Sequence, residues 1–137
     1  MGEESRYSYA DREAFKKELK ARIYNWTVRL VKYLRKLSKN VDYVVRSIID
    51  QLIRSGTSVG ANYIEAIGSP TTKDFRNFLA HALKSSNESK YWLALIRDGG
   101  IDTGEESQWL LEEAIEISAI LGKSVSTMYR ENKSDDL

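Results

Sequence analysis

The sequence contains no cysteine, one proline and one histidine in 137 residues. The lack of cysteine excludes disulfides, zinc–thiolate sites and cysteine nucleophiles. The scarcity of proline, together with only eight glycines, leaves long uninterrupted stretches that favour helices. Because no run of about 18 apolar residues is present, we expect no membrane-spanning helix and no membrane partner. The N-terminal residues also lack the apolar stretch of a secretory signal, so we expect a cytoplasmic protein.

Apolar residues recur at helical spacing in four stretches, and Gly, Pro or Asn residues stand between them. The spacing predicts helices over residues 9–38, 41–67, 72–98 and 104–131. Since the turns are short, neighbouring helices must run antiparallel. The sequence therefore predicts an all-α fold, an antiparallel up-down-up-down four-helix bundle, as a single domain over residues 1–137.

The predicted helix ends carry recognisable signals. Ser8 or Asp11 can cap the first helix, and Asn40 makes the following turn. Two further starts resemble capping boxes, Thr71 with Asp74 and Thr103 with Glu106. We expect residues 132–137 to fray.

The charges are unevenly distributed although the net charge is +1. The first predicted helix is basic and the fourth is acidic. Two interpretations remain open: one face binds an anionic partner such as RNA or DNA, or the two helices complement each other within or between protomers. Under the first, the candidate nucleic-acid contacts are Lys16, Lys20, Arg22, Arg29, Lys32, Arg35, Lys36 and Lys39.

Helical bundles often hold carboxylate-bridged metal centres, which need Glu-x-x-His motifs on two helices. The single histidine, His81, has no glutamate three residues before it. A Ser-His-Asp arrangement would need the same histidine as its base. No glycine-rich phosphate loop follows a strand. We therefore predict that the protein is not an enzyme and has no cofactor and no metal site.

One segment of the second predicted helix is unusual because it carries two glycines and several polar residues. Each glycine costs about 1 kcal/mol in a helix interior, a loss that close packing against a neighbour can offset. The polar residues fall one turn apart on one face. They form either a ligand site or a hydrogen-bonded polar layer that fixes helix register or a subunit contact. The candidates are Arg54, Gly56, Ser58, Gly60, Asn62, Glu65 and Glu88. An alternative function is a small enzyme or ligand-binding protein that uses Glu65 and Glu88 as paired carboxylates.

The aromatic residues also suggest assembly. Trp26, Tyr33, Tyr63, Trp92 and Trp109 provide more aromatic surface than one small bundle needs to cover. This surplus predicts a homo-oligomer.

Residues 51–66, with Lys73–Asp74–Phe75 and residues 82–93, resemble the bacterial four helix bundle protein family, which includes proteins encoded in intervening sequences of 23S rRNA genes. The resemblance covers roughly residues 15 to 130. One branch of that family has Asn-Ile-Ala-Glu-Gly at the positions where this chain has Asn-Tyr-Ile-Glu-Ala, residues 62–66. Ala66 thus stands in place of the glycine of that branch.

The resemblance implies a ring-like homo-oligomer, with a pentamer favoured, and no assigned activity. A related group, the accessory proteins of diversity-generating retroelements, binds a reverse transcriptase and nucleic acid through a strongly basic surface. The partners expected from the resemblance are therefore the chain itself, RNA or DNA, or a nucleic-acid-processing protein.

Overall fold

The computed structural model describes the backbone of residues 8–135 and the side chains of residues 8–130. This part of the chain forms four α-helices and no strand: α1 Tyr9–Leu37, α2 Tyr43–Ile67, α3 Thr72–Asp98 and α4 Glu105–Asp135. The predicted all-α fold is confirmed. The α4 helix continues four residues beyond its predicted end at residue 131, and the last two residues of the segment expected to fray lie outside the described range.

Three helices begin at side chains that accept a hydrogen bond from a free backbone N–H. Ser8 caps α1 and forms a reciprocal capping box with Asp11, at 3.1 and 3.2 Å. Asp42 caps α2, which sets the start of that helix two residues after the predicted one. Thr71 accepts from the N–H of Asp74 and starts α3. Asn40 is left-handed, with a φ of 56°, as a turn residue of this type tolerates.

The predicted capping box at the start of α4 is wrong. The carboxylate of Asp102 accepts from the N–H of Gly104 at 2.9 Å in the preceding turn. Both oxygens of Glu106, the expected partner of Thr103, accept hydrogen bonds from Arg29 of α1 instead. The helix begins at Glu105 and the carbonyl of Gly104 accepts the first bond of its turn, so Thr103 lies one residue before the cap position.

The helices pack in a ring, in which each contacts its neighbours along the chain and α1 closes against α4. The α2–α3 and α3–α4 contacts are the most extensive, and the α1–α4 contact is the least. The core is aliphatic with one buried indole, and its most deeply buried side chains include those of Ile23, Trp26, Leu30, Leu52, Val59, Leu79, Leu93, Ile96, Leu110, Ile117 and Leu121.

The prediction that five aromatic side chains exceed what one bundle can cover is wrong. Trp26, Tyr33 and Tyr63 are buried within the single chain, and Trp92 and Trp109 are half-buried. One bundle does cover most of this surface. Among residues 8–135, no helix is both long and apolar enough to cross a membrane.

Candidate functional site

The inner side of α1 is joined to α4 by a bidentate ion pair. Arg22 donates from Nε and Nη2 to the two carboxylate oxygens of Glu113, each at 2.8 Å, and Nη2 also pairs with Glu116. The hydrogen bonds from Glu113 raise the pKa of Arg22, although partial burial opposes the shift. The guanidinium is thus committed to α4.

A second arginine repeats this arrangement two turns further along α1. Arg29 donates to both carboxylate oxygens of Glu106, at 3.1 and 2.5 Å, and its Cζ lies 3.4 Å from the ring centroid of Trp109. Stacking on an indole face adds a cation–π attraction to the ion pair. The hydrogen bond from Arg29 lowers the pKa of Glu106.

Two further hydrogen bonds, made by side chains of α1 that are not arginines, alternate with the arginine pairs along the same seam. Trp26 Nε1 donates to the carbonyl oxygen of Leu110 at 3.0 Å. Tyr33 donates to Asp102 Oδ2 at 2.6 Å, and burial together with this bond raises the pKa of the phenol. The four contacts step by three or four residues along α1, and their partners step back along α4 to Glu106 and then to Asp102 in the turn before α4. They define one antiparallel register, which we call the α1–α4 ladder.

This ladder corrects the predicted set of nucleic-acid contacts. Arg22 and Arg29 are engaged by α4, so complementarity between helices of one chain is the correct interpretation for these two residues. Lys16 also departs from the set, since its Nζ lies 3.6 Å from Glu13 and 5.2 Å from the ring centroid of Phe75.

The remaining predicted cations are exposed on α1 and the turn after it. We call them the basic face of α1: Lys20, Lys32, Arg35, Lys36 and Lys39. Among residues 8–130, none of them is within 4.0 Å of a carboxylate. No acidic residue occurs in the sequence between Glu18 and Asp42, so α1 carries no neutralising charge from Leu19 to its end at Leu37.

Sequence reasoning missed an aromatic residue within the same surface. Tyr24 is 69% exposed and lies one turn from Lys20. The signal was available, because the buried positions Ile23, Trp26 and Leu30 place residue 24 on the opposite side of the helix.

In the described part of the chain, the polar row predicted on α2 makes no side-chain hydrogen bond to another helix. Ser58 donates to the carbonyl of Arg54, and Asn62 donates to the carbonyl of Ser58, both within α2. The side chains of Arg54 and Glu65 are exposed. Short polar side chains on helices often donate to a carbonyl of the preceding turn. Here Ser58 and Asn62 form these local hydrogen bonds and donate none to another helix.

A polar layer does exist, but serines that the prediction did not select form it. Ser89 donates to Ser55 between α3 and α2 at 3.0 Å, and Ser118 donates to Ser86 between α4 and α3 at 2.9 Å. Each accepting hydroxyl in turn donates to a carbonyl of its own helix. All four serines are buried, and each is satisfied by its neighbours.

The two glycines of α2 face α1, as the close-packing argument requires. A Cβ at Gly56 would overlap the Cδ2 atom of Leu30. One at Gly60 would lie 3.3 Å from Ile23 Cγ2 and 3.9 Å from Thr27 Oγ1. The predicted close approach is therefore made by side chains of α1, and it is tighter at Gly56.

The proposed carboxylate pair is not assembled. Ser55 of α2 is level with Ser89 of α3 because their hydroxyls bond. The helices are antiparallel, so Glu65, ten residues beyond Ser55, lies about 15 Å along the bundle from Glu88. Glu88 is exposed and accepts a hydrogen bond from Trp92 Nε1 of its own helix at 3.0 Å. These two residues do not form one site, and this alternative fails.

An open cleft of about 1220 Å³ lies at the end of the bundle that carries the α2–α3 turn. Phe15 on its α1 wall is 50% exposed. Other apolar side chains of its lining are Leu19, Phe75, Leu79, Ile120 and Met128, and charged residues of both signs also line it, namely Asp11, Arg12, Glu18 and Lys123.

In the described part of the chain, no three histidine, aspartate or glutamate side chains are grouped to hold a metal ion. The fold and its surfaces thus define an all-α bundle with a basic exposed face and an open apolar end.

A family model described as 23S rRNA-intervening sequence protein matches residues 19–123, and the chain belongs to that family. The chain is also similar to a crystal structure of a protein of unknown function from the S23 ribosomal protein family of Bacteroides thetaiotaomicron. The two are 32% identical, with a TM-score of 0.70, over 78% of this chain and 97% of that one. No curated protein matches the sequence.

Proposed function

We propose that this protein is a non-catalytic, self-assembling module that binds nucleic acid, RNA or DNA, through the basic face of α1. The observation that carries the proposal is the division of cations on α1. Arg22 and Arg29 are paired with carboxylates of α4, whereas the five cations of the basic face are exposed and, among residues 8–130, none is within 4.0 Å of a carboxylate.

This division explains how a chain of net charge +1 can present a basic surface. Much of the acidic charge lies on α4, and part of it is neutralised by the two arginines of the ladder. Nucleic-acid phosphates that bind the basic face would release their condensed counterions. Binding should therefore tolerate different sequences, and its affinity should fall steeply as the salt concentration rises.

Self-assembly is supported by the end cleft. Its apolar lining leaves Phe15 half in water, and apolar surface of this kind is typical of contact sites. Charges of both signs in the lining suit a contact between identical copies, in which the same patch must complement itself. Family resemblance leads us to expect five copies, and a ring would repeat the basic face and multiply weak contacts.

The absence of catalysis is part of the proposal. Its support is positional: Glu65 and Glu88 lie at different levels of the bundle, and His81, the single histidine, is exposed on α3. None of the three lines the end cleft.

Nucleic-acid binding is tested by reversing charge on the basic face. The Lys32→Glu/Arg35→Glu protein should lose binding to labelled RNA in fluorescence anisotropy while its mass in light scattering is unchanged. The matched control is Lys73→Glu/Lys84→Glu, which changes net charge equally at exposed positions of α3. Equal losses in both proteins, or none in either, would contradict the proposed surface.

Assembly is tested separately by light scattering. Wild-type protein at tens of micromolar should have the mass of several chains, and Phe15→Asp should reduce it. Tyr43→Asp, at an exposed site outside the cleft, is the control. A wild-type mass equal to one chain would refute self-assembly.

A further inference from the structure

An exposed aromatic side chain of α1, that of Tyr24, lies between Lys20 and Lys32 of the basic face in sequence and outside the hydrophobic core. Tyr24 lies on α1 opposite the buried Ile23, Trp26 and Leu30, and 69% of its surface is exposed. Exposing an aromatic ring of this size on a helix gains nothing for the fold, since the favourable burial of apolar area is forgone.

At the positions three and four residues from Tyr24, α1 carries one cation, Lys20, and no acidic residue. Lys20 precedes it by four residues, about 6 Å along the helix, and Lys17 lies one turn further on the same side. Arg35 follows at the other end of the row. The acids nearest to this row on α1 are Glu18, two residues before Lys20, and Glu13, which is 3.6 Å from Lys16.

From this placement we propose that Tyr24 is a stacking platform for an unpaired base, so that the basic face prefers single-stranded nucleic acid to a duplex. The inference rests on the proposed nucleic-acid function and specifies its substrate class. An exposed ring beside cations offers a base its π-face while Lys17 and Lys20 contact the phosphates.

A duplex cannot use the ring in this way, because its bases are already stacked and paired. A base in a single strand is free to leave its neighbours and stack on an aromatic side chain. The cations attract both forms through phosphate charge, whereas the ring adds affinity for the single strand only. Such stacking tolerates any base, since every base has a π-face.

The experiment compares two labelled probes, a single-stranded oligouridine of about 15 nucleotides and an RNA duplex of the same length. Tyr24→Ala should weaken binding of the oligouridine about 5-fold or more and leave duplex binding within about twofold. Tyr24→Phe should behave as wild type, because stacking needs the ring and not the hydroxyl. Tyr43→Ala removes an 83% exposed tyrosine from α2 and should change neither affinity.

The outcomes separate this inference from the function on which it rests. If Lys32→Glu/Arg35→Glu abolishes binding but Tyr24→Ala does not weaken it, the stacking role is wrong and the proposed function stands. Equal losses on single strand and duplex, or a changed oligomer mass for Tyr24→Ala, also overturn the stacking role. If wild-type protein binds neither probe at low salt, both proposals are wrong.

Discussion

Arg22 and Glu113, 91 residues apart in sequence, form a two-point ion pair in which both hydrogen bonds measure 2.8 Å. The carboxylate is only 15% exposed, whereas the second partner of the arginine, Glu116, is 65% exposed. The two contacts should therefore differ in value, since exposed ion pairs are screened by water and buried groups are not.

We predict that Glu113→Ala lowers the free energy of unfolding by about 1–2 kcal/mol, because a partly buried guanidinium loses its best partner. Glu116→Ala is the matched control and should change stability by less than about 0.5 kcal/mol. Urea denaturation followed by circular dichroism measures both. Equal effects would show that the bidentate geometry carries no special stability. Neither variant should alter binding to nucleic acid.

The ion pair of Glu106 should make stability depend on pH. The pKa of this carboxyl is lowered by the hydrogen bond from Arg29, so its folded-state value lies below the ordinary 4.5. The pair thus contributes fully above about pH 4.5, and the contribution is lost as the pH falls through the lower folded-state value.

Glu106→Gln should be less stable than wild type at pH 7, and the difference should shrink toward zero as the pH falls from 4.5 through the lowered folded-state pKa of Glu106. Urea midpoints at several pH values measure it. Glu105→Gln, at the neighbouring exposed position, is the control and should follow the wild-type profile. A difference between Glu106→Gln and wild type that stays constant with pH would exclude the ion pair as its cause.

The two glycines of α2 should respond differently to alanine. Alanine gains about 1 kcal/mol of helix propensity at either position. At Gly56 the new methyl group meets the fully buried Leu30, and overpacking costs about 1–3 kcal/mol. At Gly60 the contact with Ile23 is only slightly tight.

We therefore expect Gly56→Ala to lower the melting temperature and Gly60→Ala to leave it unchanged or raise it. Leu30→Ala should lower the free energy of unfolding less in the Gly56→Ala background than in the wild type, because the shorter side chain at position 30 makes room for the new methyl group at position 56. A Gly56→Ala protein more stable than Gly60→Ala would contradict the packing described for α1.

Substitutions of the buried serines should lower the free energy of unfolding by different amounts, according to which hydroxyl donates and which accepts the hydrogen bond. Ser118 donates to Ser86, so Ser86→Ala leaves a buried donor without its partner and should cost about 1–3 kcal/mol. Ser118→Ala removes only the donor and should cost less. The double variant should be more stable than Ser86→Ala alone, because both polar groups are then gone. Denaturant unfolding of the three proteins tests this order, and a double variant that is the least stable of the three would contradict it.

The helices were predictable from sequence because their signals are local. Apolar spacing of three and four residues, a cap at Ser8 or Thr71 and a stop at Gly68 each act within one or two turns. The start of α2 was misplaced by two residues because Asp42, the true cap, was not recognised. The failed capping box at Thr103 shows the limit of local signals, since Gly104 takes the cap position and Glu106 bonds to a different helix.

The candidate site was predicted only in part, for a related reason. The sequence shows that α1 is basic, but not which cations meet α4, because that depends on the rotation and register of the first and last helices of the bundle. The row from Arg54 to Glu65 looked like a layer because its spacing is regular, yet the same spacing serves an exposed face. The positions of Ser55 and Ser89 in the sequence did not indicate a polar layer, because a serine within an apolar row is as compatible with close helix packing as any small residue.

The α1–α4 ladder also restricts how the first helix can slide. If α1 moved by one turn along α4 in one direction, the indole of Trp26 would face the carboxylate of Glu113 and Arg29 would face Leu110. A slide in the other direction would set Trp26 against Glu106 and Arg22 against Leu110. All four contacts form together in only one register of the two helices. The least extensive helix–helix contact in the bundle is therefore held in register by polar groups that lie at the margin of the core.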